Sequence, residues 1–415
     1  MAELDAILEA CTSPDTGFLH GATFVAVGRQ GNDIYRKSFG RRKVDAKALS
    51  PLTSDTVTWI ASQTKLVTSV AAMQIVERGL IGLDDDVRET LPQLKELKVI
   101  TGFEDPSTEN FSGRPILEDV KGPLTLRHLL THTSGFAYDQ RHPLLVKYST
   151  WANRRDHMFS GTIEGSFHPL IFQPGASWRY GPGLDWAGHV IAKLTGMNFD
   201  QYEQQNIWEP LGAKNTTFFP AKRGLTPDDI HESAHRDPNK GDNPQNLEPG
   251  QSPWKFDPRD ALGGAGLFST ANDYSKLLAA LLSGGGPLLS TKSVDELFRP
   301  QIGAESMAAL REILVVGTGP DESQSFLWRQ SPQQWKDVME VGHCLCGVVN
   351  SEDVEGRRRQ NTVSWDGLPN LFWFIDCESG VAATFFTQVL PSDDLSIRRL
   401  LVDLEKALYK VVNDK

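Results

Sequence analysis

The sequence predicts a mixed α/β (α+β) fold: one antiparallel sheet drawn from both chain ends, flanked by helices, around a mostly helical inserted region. Two observations lead there. Strand-like runs rich in β-branched and aromatic residues lie at 23–27 and 33–39, and again at 362–364, 370–375 and 381–389. Between these ends, apolar residues recur mainly at helical spacing. A single sheet built from the two termini is the economical way to bury both sets of strands. The expected division is 1–58 with 336–415 for the sheet region and 59–335 for the helical region. Together they form one unit with a site between them.

The elements follow in order. Leu4, Ile7, Leu8 and Cys11 share one side of an amphipathic first helix. The first two strands join through Gln30-Gly31-Asn32, a hairpin signal. A helix opening near Ser62 carries Leu66, Val70 and Met73 and stops at Gly79. Residues 102–122, rich in Pro, Gly, Ser and acids, read as an exposed loop. A second middle helix over 124–130 ends before Gly135. Residues 136–170 hold many aromatics and histidines without a clean period and read as irregular cover over a site. The turn-rich 175–183 feeds a helix over 184–194, and the polar stretch 219–258 reads as a long ordered loop. Thr270, with Asp273 three residues on, starts a helix over 274–282. Ile397, Leu400, Leu401, Leu404, Leu408 and Val411 mark an amphipathic last helix.

Composition narrows the function. With 415 residues, 39% hydrophobic and 23% charged, the chain suits a globular protein with a sizeable core. A net charge of −11 and a pI near 5.4 argue against nucleic-acid or anionic-membrane partners. No run reaches transmembrane length and the first residues carry no signal core. Four cysteines in so long a chain do not suggest a disulfide framework, so a cytoplasmic setting is expected.

The chemistry centres on Ser62-Gln-Thr-Lys65. Helical i,i+3 spacing puts the hydroxyl and the amine on one face, where a desolvated lysine can take the serine proton. A second Ser-x-x-Lys, Ser252 to Lys255, contains a proline and lies in a Pro/Gly/Asp-rich stretch, so it reads as loop. Tyr180 leads out of a Gly/Pro turn and can present its phenol beside a lysine as base or proton relay. Ser364-Trp365-Asp366-Gly367-Leu368 reads as a strand end whose glycine lets backbone approach a ligand.

Together, Ser62-x-x-Lys65, Tyr180 in its Tyr-Gly-x-x-Leu-Asp-Trp setting and Trp365-x-Gly367 resemble the serine β-lactamase and penicillin-binding-protein superfamily. The blocks 124–135 and 263–270 fit its class C-like branch of family VIII esterases and fungal transesterases, including those that attach the lovastatin side chain. The resemblance implies a β-lactamase/DD-peptidase-like fold and a covalent acyl-enzyme. Ser62 would be its nucleophile, and Lys65 and Tyr180 would share acid/base work. The backbone N–H groups of Ser62 and Leu368 would form the oxyanion hole, and Tyr138, Trp365, Asp366 and Gly367 the substrate pocket.

It further implies an acyltransferase moving an acyl group from a small ester or thioester, free or on an acyl-carrier protein, to an alcohol in specialised metabolism. An esterase with the same residues and a non-catalytic ligand binder are the alternatives. No metal or organic cofactor is implied. Three departures stand out: Trp365 where the superfamily's third motif usually has lysine, Gly183 where the lovastatin-type segment has asparagine, and Ser392 where it has tryptophan. The first removes a cation that would hold a β-lactam carboxylate.

Rival motifs are weaker. His231-Glu-Ser-Ala-His235 matches a zinc-peptidase pattern but lacks an apolar helical face. Cys344 and Cys346 read as buried thiols in a strand, and His128 and His132 as residues that brace the site.

Overall fold

A computed structural model describes residues 1–48, 50–104, 113–237, 246–316 and 341–413. Seven antiparallel strands form its central sheet. Gly21–Gly28 (β1) and Asp33–Gly40 (β2) come from the N-terminal end. Val341–His343 (β3), Val348–Asn350 (β4), Val363–Gly367 (β5), Leu371–Asp376 (β6) and Val381–Phe386 (β7) come from the C-terminal end. The order across the sheet is β2-β1-β7-β6-β5-β4-β3, so the two ends meet where β1 pairs with β7.

Period-two alternation divides the core between the two faces of this sheet. Phe24, Ala26, Phe372, Phe374 and Phe385 pack with the helices Ala2–Thr12 (α1) and Leu395–Asn413 (α6). Val25, Val27, Trp373, Ile375 and Phe386 face the inserted region, where the helices Thr64–Glu77 (α2) and Ala271–Leu282 (α5) lie. Both faces are covered, which is why every residue of β1 is buried and its sequence reads as a continuous apolar run. Thr270 caps α5, its hydroxyl accepting from the Asp273 N–H at 3.0 Å. The Asp273 carboxylate does not return to the cap; it accepts from the Lys214 and Asn215 N–H groups instead.

The stretch 102–122 is not simply a loop. Lys98–Phe103 pairs antiparallel with Pro115–Asp119, and Lys98 meets Asp119 at 2.5 Å. Its outer strand exposes Ile116 and Leu117 among acids, so polarity hid the hairpin. Residues 105–112 lie outside the described segments, as does the expected boundary between 335 and 336. The run over 381–389 leaves the central sheet at Phe386, and Val389–Leu390 pairs with Ala234–Arg236 in a small separate sheet. Cys344 and Cys346 are buried as expected, but in the turn between β3 and β4 rather than in a strand.

Leu404 is fully buried in the layer under α6, whereas Leu395 at the start of the same helix is 63% exposed. Leu404→Ala is expected to cost about 2–5 kcal/mol and Leu395→Ala less than about 0.5 kcal/mol. Urea unfolding of both variants checks the difference.

Candidate active site

Ser62 sits at a sharp entrance to α2. Trp59 pairs with Phe268, Ile60 N–H donates to the Leu267 carbonyl at 3.0 Å, and Ala61 adopts φ +46° before a 3-10 turn runs into the helix. Left-handed backbone is uncommon for a residue with a Cβ and persists only where surrounding contacts enforce it. Here the Thr64 hydroxyl donates to the Ala61 carbonyl at 2.6 Å and accepts from Leu267 N–H at 3.2 Å. Ser62 lies inside the 3-10 turn rather than at either cap, Ile60 or Gln63, and its hydroxyl faces the groups described next.

Lys65 follows one turn later and is 2% exposed. A buried lysine needs partners for its donors. Its Nζ donates to the Ser62 hydroxyl at 3.3 Å, the Tyr138 hydroxyl at 3.1 Å and the Gly264 carbonyl at 2.6 Å. The Tyr180 hydroxyl donates to Ser62 Oγ at 2.6 Å, and Lys65 Nζ lies 4.6 Å from the centre of the Tyr180 ring. Burial, and the neighbouring Tyr180 and Asp185, push the Tyr138 phenol well above its usual range, so Tyr138 stays protonated.

Two glycine-dependent contacts hold this set. Asp185 accepts from the Gly264 N–H at 2.7 Å and so aims the Gly264 carbonyl at Lys65; a Cβ on Gly264 would stand 2.7 Å from that carboxylate. Burial raises the Asp185 carboxyl, against the pull of Lys65 and the Gly264 N–H. At Gly183 a Cβ would stand 2.4 Å from the Leu129 carbonyl, so this glycine lets the start of its helix close on Leu129.

The site opens on a cavity. Ser62, Tyr138, Tyr180, Asp366, Gly367 and Leu368 line it, together with the stacked pair Trp59 and Trp254 and with Met158 and Phe159 from the irregular cover. A Cβ on Gly367 would stand 2.8 Å from the Ile60 carbonyl, so this glycine lets the end of β5 close on the Ser62 turn. Trp365 points elsewhere. It packs 5.4 Å from Tyr180 and 6.1 Å from His132, behind the phenol rather than along the wall.

Sequence reasoning missed Arg141, Trp254 and Arg398, which also line the cavity. Trp254 belongs to the second Ser-x-x-Lys, and its only signal was a tryptophan in an otherwise polar loop. Of the rival pair, His231 is buried against His20 in irregular chain, while His235 is exposed in a short strand, so they share no helix face. Among the described residues, no cluster of three metal-ligating side chains occurs.

Burial raises the Asp366 carboxyl to about 7, opposed by Lys65 and Arg398. The folded state therefore keeps a proton that the unfolded chain has lost between pH 3.8 and about 7, and stability falls as pH rises through that window. Asp366→Asn is expected to raise the melting temperature above pH 7 and to match the wild type near pH 4. Thermal unfolding from pH 4 to 8 measures this; a constant difference across the range would contradict it.

A beta-lactamase family profile matches residues 19–407. Lovastatin esterase of Penicillium rubens is 35% identical over 381 residues, 91% of this chain and 91% of its own. Monacolin J acid methylbutanoyltransferase of Aspergillus terreus is 34% identical over 398 residues, covering 94% of this chain and 91% of the relative. The unliganded selenomethionyl structure of simvastatin synthase from Aspergillus terreus aligns with a TM-score of 0.86 at 32% identity, over 98% of this chain and 97% of that one. No helix among the described residues is long and apolar enough to cross a membrane. A profile match over nearly the whole length, with relatives above 30% identity along it, places the chain in the beta-lactamase family, as an enzyme of its serine acyltransferase and esterase kind.

Proposed function

We propose that this enzyme moves an acyl group from a small ester or thioester to an alcohol through an acyl-enzyme on Ser62. The carrying observation is the hydrogen-bonded set of Tyr180, Ser62, Lys65 and Tyr138 at the wall of a largely apolar cavity. As Ser62 Oγ attacks the donor carbonyl, its proton passes to the Lys65–Tyr180 pair. The pair returns a proton to the departing alkoxide or thiolate. The acceptor alcohol then gives its own proton to the pair as it attacks the acyl-enzyme, and Ser62 recovers one on leaving. An amine beside a phenol and an ammonium beside a phenolate differ only by one proton within this pair. Nζ lies 4.6 Å from the centre of the Tyr180 ring, which keeps the two groups side by side.

The Ser62 and Leu368 N–H groups are assigned to the developing oxyanion, supported by the Gly367–Ile60 approach. Tyr138, Asp366 and Gly367 are assigned to the substrate pocket, with Trp365 supporting Tyr180 from behind. The sheet region (1–58 and 336–415) and the helical region (59–335) act as one catalytic unit. Neither a metal nor an organic cofactor takes part. The donor is a small ester or thioester, free or held on an acyl-carrier protein. The four cysteines are free thiols, which supports a cytoplasmic setting. Hydrolysis is the second reading, favoured by the esterase relative; it uses the same residues, with water replacing the alcohol.

Product analysis with an N-acetylcysteamine acyl thioester and candidate alcohols tests the proposal. Wild type is expected to give more new ester than free acid, Ser62→Ala no product, and Tyr180→Phe a rate lower by about 10²- to 10⁴-fold. Free acid alone, whatever alcohol is present, would replace transfer by hydrolysis. No product from wild type would sink both readings.

A further inference from the structure

Besides Trp365, three further rings pack on the side of Tyr180 away from the cavity and do not line it. His132 meets Tyr180 edge-on with centroids 4.7 Å apart, and His343 lies 5.5 Å from His132. Trp178 stands 5.9 Å from His132 and 5.8 Å from His343, closing a triangle. His132 is 3% exposed, Trp178 and His343 1% each. Each holds one buried nitrogen without a hydrogen-bond partner among the described residues: His132 Nδ1, Trp178 Nε1 and His343 Nε2. Buried polar atoms in native proteins are nearly always matched, by protein or by ordered water.

The chemistry of the three atoms is complementary. An indole N–H can only donate. His343 Nδ1 lies 2.6 Å from the Cys344 carbonyl and therefore carries the hydrogen, which leaves Nε2 as an acceptor. With the His132 hydrogen on Nε2, its Nδ1 is a second acceptor, and one molecule that accepts once and donates twice satisfies Trp178, His343 and His132 together. Water does this with the three bonds typical of a buried site. His132 is neutral, because burial and the nearby His343 and Lys65 push its protonation well below the usual range. The ionisable groups facing it are Lys65 from α2, Tyr180 from the Gly/Pro turn and His343 from β3. Its backbone adopts φ +60°, and its carbonyl accepts from the N–H of Arg179, the residue next to Tyr180, at 2.9 Å.

We propose that the His132–Trp178–His343 triangle holds one buried water, and that His132, anchored by it, is the positioning residue that fixes the Tyr180 ring against Ser62. This rests on the reading of Ser62 and Tyr180 as the acyl-transfer pair. Because the triangle sits outside the cavity, its loss moves the chemical step and not substrate binding.

The test uses Trp178→Phe, which keeps a ring and removes one nitrogen, and His343→Phe, which keeps a ring and removes both, with acyl release from a p-nitrophenyl ester followed from pH 5 to 10. Both variants are expected to lose about tenfold or more in kcat, with KM unchanged within about twofold and a displaced kcat–pH profile. His132→Asn, which tolerates the left-handed backbone and keeps a polar group, is expected to retain more kcat than His132→Leu. Wild-type crystals at high resolution are expected to show one water within hydrogen-bond distance of all three nitrogens, to one side of the triangle's plane. Unchanged kcat in both ring-preserving variants, a raised KM with kcat retained, or a triangle without water would overturn the proposal. A wild type that takes no acyl group on Ser62 would overturn the acyl-transfer reading beneath it instead.

Discussion

A lysine that is 2% exposed among apolar side chains is tolerable only if each of its donors finds an acceptor, and much of this structure meets that demand at Lys65. The Gly264 carbonyl reaches it because Asp185 holds the Gly264 N–H, and Asp185 lies there because Gly183 lets its helix close on Leu129. The Tyr138 hydroxyl supplies the second acceptor, and its raised pKa keeps it a neutral phenol beside the amine. Ser62 is the third, so the proposed nucleophile is also a structural partner of the proposed base. Removing any one acceptor leaves a buried donor unmet, which costs stability.

The sheet meets the same demand at larger scale. Both of its faces are covered, and β6 and β7 join β5, whose end reaches the Ser62 turn, to β1 of the N-terminal hairpin. Closing the sheet from both chain ends ties the C-terminal wall of the cavity to the N-terminal nucleophile, although Ser62 and Leu368 stand far apart in sequence. The left-handed Ala61 is the local strain this arrangement carries.

Much of this was legible in the sequence, where a local signal coincided with a local structure. The β1–β2 hairpin followed from Gln30-Gly31-Asn32 between two strand-like runs, α5 from Thr270, and α6 from its apolar spacing. Ser62, Lys65 and Tyr180 were legible because their motifs fix backbone as well as side chain. The rest depends on long-range contact. The hairpin at 98–119 was hidden by its polar outer face, and the Cys344–Gly347 turn by an apolar run that reads as strand. Arg141, Trp254 and Arg398 come from three separated segments that meet only at the cavity. Trp365 was expected on the cavity wall because its motif neighbours are there; strand alternation points it the other way, onto Tyr180.

The central claim is that Ser62 carries the acyl group. Brief exposure to an acyl thioester, followed by proteolysis and mass spectrometry of the peptides, addresses it directly. The account predicts an acyl-sized mass increase confined to the Ser62 peptide in wild type and absent in Ser62→Ala. An acyl group found on another residue, or turnover that persists in Ser62→Ala, would contradict it.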